Sequence, residues 1–191
     1  IEYENVQAIF NAGQRASELV RQILTFSRQS EHKRAPVRIQ SVLKQVFKLI
    51  RAAIPANIEI DRDIQNDCGS VMADPTQIHQ IAMNLITNAY HAVEESGGSI
   101  SVQLREAEMA AGDAEKHSLL AGRYAQLSVS DTGYGIDPAN MEKIFDPYFT
   151  TKGHGKGTGL GLAVVHGIVK EHRGDIRVRS QPGKGTTFDV Y

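Results

Sequence analysis

Residues 153–162 read GHGKGTGLGL and run without a break into the apolar segment 162–169. Glycine at every second position, 153, 155, 157, 159 and 161, leaves backbone N–H groups unshielded by side chains. A helix beginning near Gly159 would add the positive end of its dipole, so the stretch predicts an anion site, most naturally for a phosphate chain. A flexible linker is the competing reading, although linkers rarely lead straight into an amphipathic helix. The stretch is not a P-loop, because Lys156 is followed by Gly157 and no strand precedes it.

Upstream, the chain loops from Asp131 through DTGYGID, a short helix expected near Met141 to Ile144, and FDPYFTTK at 145–152. The run 124–130 reads as a strand with Leu127 and Val129 on one face, and Ile100, Val102 and Leu104 alternate as another. Residues 106–122, polar and alanine-rich, read as a surface insertion between them. Asp74-Pro75 supplies an N-cap and a proline at the first helical position for a helix to about Glu95. Ile58, Ile60 and Ile64 suggest a strand, and Ser41 can cap a helix carrying Val42, Leu43, Val46, Phe47, Leu49, Ile50 and Ile54.

Downstream, the glycine stretch opens a helix over 160–172. Ile176 and Val178 begin a strand, Gly183-Lys184-Gly185 turns the chain, and Phe188 and Val190 form a last strand. Helices and strands are intermixed with hairpin pairing at the end, which predicts an α+β fold, a two-layer sandwich with a mixed sheet covered by helices on one face. At the N-terminus, Ile9, Ala12, Ala16, Leu19, Ile23 and Phe26 form a helical seam beside Val6, Phe10, Val20 and Leu24. Residue spacing alone leaves this helix as either half of a dimerising hairpin or a helix folded back on the main domain. The expected division is a helix over 1–30, a linker over 31–40 and a main domain over 41–191.

The chain has 191 residues, 41% hydrophobic and 23% charged, with a formal charge of -1. Mixed signs give no basic face for nucleic acid or anionic lipid, so any anion site is local. Cys68 is the single cysteine and excludes an internal disulfide. No apolar run reaches the roughly 20 residues of a membrane span and no signal peptide is evident. The expected location is cytoplasmic, with any membrane anchor in segments outside this sequence. The start at Ile1 and the stop at Tyr191 inside an expected strand read as a piece of a longer protein.

Two asparagines, Asn84 and Asn88, lie four apart on the helix after Asp74 beside the apolar Ile81, Leu85, Ala89 and Ala92. Asparagine is a poor helix former, so the pair calls for a reason, and its amide oxygens suit Mg²⁺, which takes its other ligands from phosphates and water. His91 lies three residues beyond, where it could meet a phosphate or simply face solvent. Asp131 ends a strand ahead of Gly133 and Gly135, so its carboxylate could accept from an exocyclic amine while the glycines admit a flat ring. Alone, that turn is a weak motif.

The order of these elements is specific where each alone is not. Asn-x-x-x-Asn on a helix, strand-Asp-x-Gly-x-Gly, FDPYF at 145–149 and GKGTGLGL at 155–162 together resemble the N, G1, F and G2 boxes of the catalytic and ATP-binding domain of sensor histidine kinases. The resemblance covers roughly 36–191 and implies the Bergerat ATP-binding fold shared with DNA gyrase, MutL-type repair proteins and heat-shock chaperone ATPases. It implies that Asp131 binds the adenine amine, that Asn84 and Asn88 hold Mg²⁺-triphosphate, and that His91 contacts phosphate. Lys152 and the backbone of Gly157, Thr158, Gly159, Leu160 and Gly161 would cover the phosphates, and Thr186 would reach adenine through water. Gly133, Gly135, Ile136, Phe145, Gly155, Lys156 and Leu162 complete the implied nucleotide site, with Asn84, Asn88 and Lys152 as its catalytic members. The run LVRQILTFSR at 19–28 is similar to the second helix of the family's dimerisation and phosphoacceptor hairpin, which favours the dimerising reading of the N-terminal helix.

Two departures sharpen the resemblance. None of the seven histidines, 32, 79, 91, 117, 154, 166 and 172, is followed by an acid as a phosphoacceptor would be, so the acceptor is expected upstream of Ile1. Gyrase-like ATPases resemble one another in a glutamate at the position of Asn84, and an amide cannot take a proton from water. The expectation is an ATP-dependent protein-histidine kinase core in two-component signalling. Its expected partners are ATP, its own dimerisation helices and a response regulator receiver domain. A Bergerat-type hydrolase clamp and a non-catalytic nucleotide-binding module are the alternatives.

Overall fold

The structure, a computed structural model, describes residues 34–110, 119–152 and 157–191. The N-terminal helical seam, Gly155 and Lys156 lie outside the described residues. A strand β1 (Ala35–Val37) leads into helix α1 (Ile39–Ala53), strands β2 (Ile58–Ile64) and β3 (Val71–Ala73), and helix α2 (Pro75–Val93). Strands β4 (Gly98–Met109) and β5 (Gly122–Asp131) follow, then a 3₁₀ turn Pro138–Asn140, helix α3 (Gly161–Glu171), and strands β6 (Ile176–Gln181) and β7 (Gly185–Val190). Among the described residues no helix is long and apolar enough to cross a membrane.

The main sheet has five strands in the order β2-β4-β5-β7-β6. β2 runs parallel to β4, with α2 in the connection between them, and the remaining pairs are antiparallel. Register places Val102, Val129, Phe188 and Val178 in one row across the sheet, and Leu104, Leu127, Val190 and Ile176 in the next. These rows face the helices. The opposite face is polar, and there Asp189 accepts from Ser128 Oγ at 2.5 Å and from Arg179 at 2.8 Å. This is the mixed sheet covered on one side that the alternation predicts.

Periodicity builds the covering layer. In α1, Ile39, Val42, Leu43, Val46, Phe47 and Ile50 are buried at helical spacing, whereas Leu49, off that stripe, is exposed. In α2, Ile78, Ile81, Ala82, Leu85, Ile86, Ala89 and Val93 form the buried stripe. Asp74 caps α2 as the sequence predicts, its Oδ1 accepting from Thr76 N at 2.7 Å with Pro75 following.

Four local expectations differ from the structure. Ser41 does not cap α1, which begins two residues earlier behind Arg38, because Ile39 belongs to the buried stripe. Residues 35–40, expected as linker, instead pair with β3 and start α1. The expected insertion at 106–122 is partly strand: Glu106 to Met109 pair with Ala125 to Gly122, with Arg123 donating to Glu106 at 3.0 Å. The alternation changes phase there, with Glu106 and Glu108 continuing the row of Leu104 while Ala107 and the buried Met109 lie on the other face, and that hides the strand. The helix expected near Met141 is a 3₁₀ turn followed by i→i+3 turns, since Pro147 lies too close downstream for a longer helix.

Candidate functional site

Helix α2 is the common wall of the site. Along its exposed flank from Asn84 to Ala92, a rise of about 12 Å, three segments meet it in turn. Gly161, at the start of α3, lies against Asn84, where a Cβ on Gly161 would sit 2.8 Å from Asn84 Oδ1. Lys152 reaches His91, Nζ to Nδ1 at 2.9 Å. The loop after β5 packs on the last turn, with Tyr134 N donating to Ala92 O at 3.4 Å.

Asn84, Asn88 and His91 fall on this flank because they follow one another at helical spacing beside the buried stripe. Asn84 Nδ2 donates to Gln80 O at 2.9 Å, which turns its Oδ1 toward α3. Asn88 is half-buried and makes no side-chain hydrogen bond among the described residues. No group of three or more His, Cys, Asp or Glu side chains among the described residues could hold a metal ion. The two amides therefore fit only a hard cation that takes most of its ligands from phosphate and water.

The far end of the site grows out of the sheet. The row Ile60, Ile100, Asp131, Thr186 and Ser180 begins apolar and turns polar across β5, β7 and β6, on the face that the helices cover. Asp131 and Thr186 are 9% and 5% exposed. Asp131 Oδ1 accepts from Gly133 N at 2.9 Å. Burial nevertheless pushes the Asp131 carboxyl above its ordinary value, with hydrogen bonds from the Gly133 and Thr186 backbones opposing that rise.

Gly135 has φ 72 and lies so close to the Gln181 carbonyl that a side chain could not fit. Ile136 N donates to Ser180 Oγ at 2.8 Å, and Gly183 N donates to Tyr134 O at 2.8 Å. The β6–β7 hairpin thus clips the loop after Asp131 in place. Ser180 is the residue that sequence reading missed. A polar residue in phase with Ile176 and Val178, on the covered face of β6, was the available signal.

Between these ends lies the segment from Phe145 to Gly161. Phe145 stacks near His166, ring centroids 5.1 Å apart, and Ile136 and Leu162 pack against the core. Tyr148 N donates to Gly159 O at 2.9 Å, which closes the base of the loop. Inside it, Gly157 faces Thr150 and Lys152, and Leu160 N donates to Thr158 Oγ1 at 3.4 Å. α3 begins at Gly161 without a side-chain cap, so the N–H groups of its first turn have no capping side chain. Burial pulls Lys152 below the ordinary lysine value, against the charge of Glu94. His91 is also lowered, first by burial and then by the Lys152 charge.

Residues 73–191 match the family described as histidine kinase-, DNA gyrase B-, and HSP90-like ATPases. The sensor kinase CckA of Brucella abortus (strain 2308) is 39% identical over 192 residues, covering 99% of this chain and 20% of that protein. The chain thus spans about a fifth of the length of this curated relative. Full-length ShkA in complex with AMPPNP is similar at a TM-score of 0.75 and 27% identity, covering 98% of this chain and 38% of that one. Histidine kinase ThkA in complex with response regulator protein TrrA has a TM-score of 0.70 at 26% identity, covering 96% of this chain and 48% of that one. With its five-stranded mixed sheet and the site along α2, the chain belongs to the family of histidine kinase-, DNA gyrase B- and HSP90-like ATPases.

Proposed function

We propose that ATP lies along α2 with its base at Asp131 and Thr186 and its phosphates between Asn88, Lys152 and the start of α3. The observation that carries this reading is the buried Asp131 carboxylate, which has no ion pair among the described residues and sits at one end of the cleft. A buried acceptor of this kind calls for an N–H donor, and the exocyclic amine of adenine is one. At the other end, Lys152, His91 and the uncapped N-terminus of α3 offer positive charge and N–H donors to a triphosphate.

Asn84 and Asn88 would hold Mg²⁺, which neutralises charge on the phosphates when bound. Asn84 orients and cannot deprotonate water, so this position supplies no base for hydrolysis. Phosphoryl transfer depends mainly on positioning, and its nucleophile can come from another segment. The proposed reaction moves the γ-phosphoryl group to the imidazole of a histidine on a dimerisation helix outside this sequence. The N-terminal 1–30 helix would pair in that bundle, and a receiver domain would then take the phosphoryl group. ThkA, solved with a response regulator, supports that last step by likeness.

Calorimetric titration with Mg²⁺-ATP tests the site. Asp131→Ala and Asn88→Ala should each abolish measurable binding, and unchanged binding in either would remove that residue from the site. Chelating Mg²⁺ should weaken ATP binding, and indifference to the chelator would remove the metal. Adding a separate acceptor helix should yield phosphohistidine. Steady phosphate release by the chain alone would instead support the hydrolase reading, and neither product would leave a nucleotide-binding module.

A further inference from the structure

Lys152 reaches the flank of α2 beside a fixed negative charge. His91 Nδ1 stands 2.9 Å from its Nζ, and Glu94 follows His91 by three residues, one turn further along the same helix. Tyr90 holds that carboxylate in place. Its hydroxyl donates to Glu94 Oε1 at 3.1 Å, while its ring packs against the core and lies 5.5 Å from the His91 ring. Burial lowers Lys152, and the charge of Glu94 opposes that lowering, so the carboxylate is close enough for the ammonium to feel it.

The direction of that attraction matters. Asn84, Asn88 and the start of α3, where the phosphates are placed, lie on the N-terminal side of His91, whereas Glu94 lies beyond it, about 9 Å past Asn88 along the helix axis. A lysine drawn toward Glu94 is drawn away from the phosphates. We infer that Glu94 is a counter-ion catch for the segment that carries Lys152: fixed by Tyr90, it holds the ammonium at the far end of α2 in the nucleotide-free protein, and a triphosphate must take the lysine from it. Affinity for ATP is therefore set below what the site's cations would give alone. This inference rests on the proposed placement of the phosphates beside Lys152. Glu94 is a positioning residue, since it acts through the lysine.

Calorimetric titration of the full chain with Mg²⁺-ATP tests the catch. Glu94→Gln should raise the affinity about threefold to fivefold, the worth of one exposed ion pair, and the gain should shrink as salt is raised. Tyr90→Phe, which unfastens the carboxylate, should give part of the same gain. In a Lys152→Gln background Glu94→Gln should add nothing. Adenosine, which has no phosphate, should bind wild type and Glu94→Gln equally.

An equal gain with and without Lys152 would mean that Glu94 only repels phosphate directly, and the inference is overturned. Weaker binding in Glu94→Gln, as loss of a Mg²⁺ ligand would give, overturns it too, and so does unchanged binding. A gain that extends to adenosine refutes it by placing the effect at the base. Should Glu94→Gln fail to fold, Tyr90→Phe carries the test, and no gain there overturns the inference. Failure of wild type and variants alike to bind Mg²⁺-ATP would instead overturn the ATP reading on which it stands.

Discussion

Lys152 Nζ lies 2.9 Å from His91 Nδ1, although 61 residues separate them in the chain. The proton between them belongs to the lysine or to the ring according to the imidazole tautomer, and burial disfavours the charged form of both groups. A triphosphate placed against the pair brings negative charge, which favours the protonated form of each. Nucleotide binding near neutral pH is therefore expected to take up protons. Calorimetry in buffers of different ionisation enthalpy measures this, with His91→Gln expected to reduce the uptake; an enthalpy that does not vary with buffer would contradict it.

The same lowering of His91 sets a stability trend. Its folded value lies below the ordinary 6.5, so the unfolded chain binds more protons as pH falls from about that value toward the folded one. The nucleotide-free protein should lose stability across that window, and His91→Gln should lose less. Urea unfolding at a series of pH values provides the comparison.

Asp131 follows the opposite sign. Its folded value is raised above the ordinary 3.8, so the folded state holds its proton longer, and the ionised carboxylate costs stability once pH rises past the raised value. Asp131→Asn keeps an oxygen for Gly133 N while removing the charge. It should melt higher than wild type at pH 7 and lose ATP binding, and the stability difference should vanish below the ordinary carboxylate range.

Gly161 separates affinity from stability in another way. Gly161 is the first residue of α3 rather than an interior one, so alanine's helix preference gains little there and Gly161→Ala should leave the fold about as stable. Its Cβ would press on Asn84 Oδ1 at 2.8 Å and displace the amide. The expected result is at least a roughly tenfold loss of Mg²⁺-ATP affinity, an effect of about 1.4 kcal/mol. Unchanged affinity would show that the amide orientation does not matter.

Leu85 has no exposed surface and sits between Asn84 and Ile86 on the buried stripe of α2. Leu85→Ala should destabilise the chain by about 2–5 kcal/mol through lost burial and the cavity left behind. Chemical unfolding checks this, and a cost below about 1 kcal/mol would mean that the helix is not packed as described.

Local chemistry made most of the elements legible. Asp74-Pro75 announced α2 because a cap and a proline act on their nearest neighbours, and alternation announced β2, β4 and β5 where one face is buried and the other wet. It failed at 106–109, where the apolar residues switch to the other face of the strand, and at β1, three residues long and stabilised by β3 some 36 positions away. The order of Asn84, Asn88, Asp131 and the glycine stretch was readable as a family resemblance. Their common wall was not.

The sequence by itself determined the glycine stretch, the asparagine pair at helical spacing and an aspartate at the end of a strand, since each depends on neighbours a few residues away. Tertiary structure alone decided that Gly161, Lys152 and Tyr134 meet α2 in succession and that Lys152 shares a hydrogen bond with His91. It also decided that Ser180 closes a hydroxyl chain on Thr186. Strand register and helix packing set those relations, and hydrogen-bond direction then follows from which donors and acceptors the register brings together.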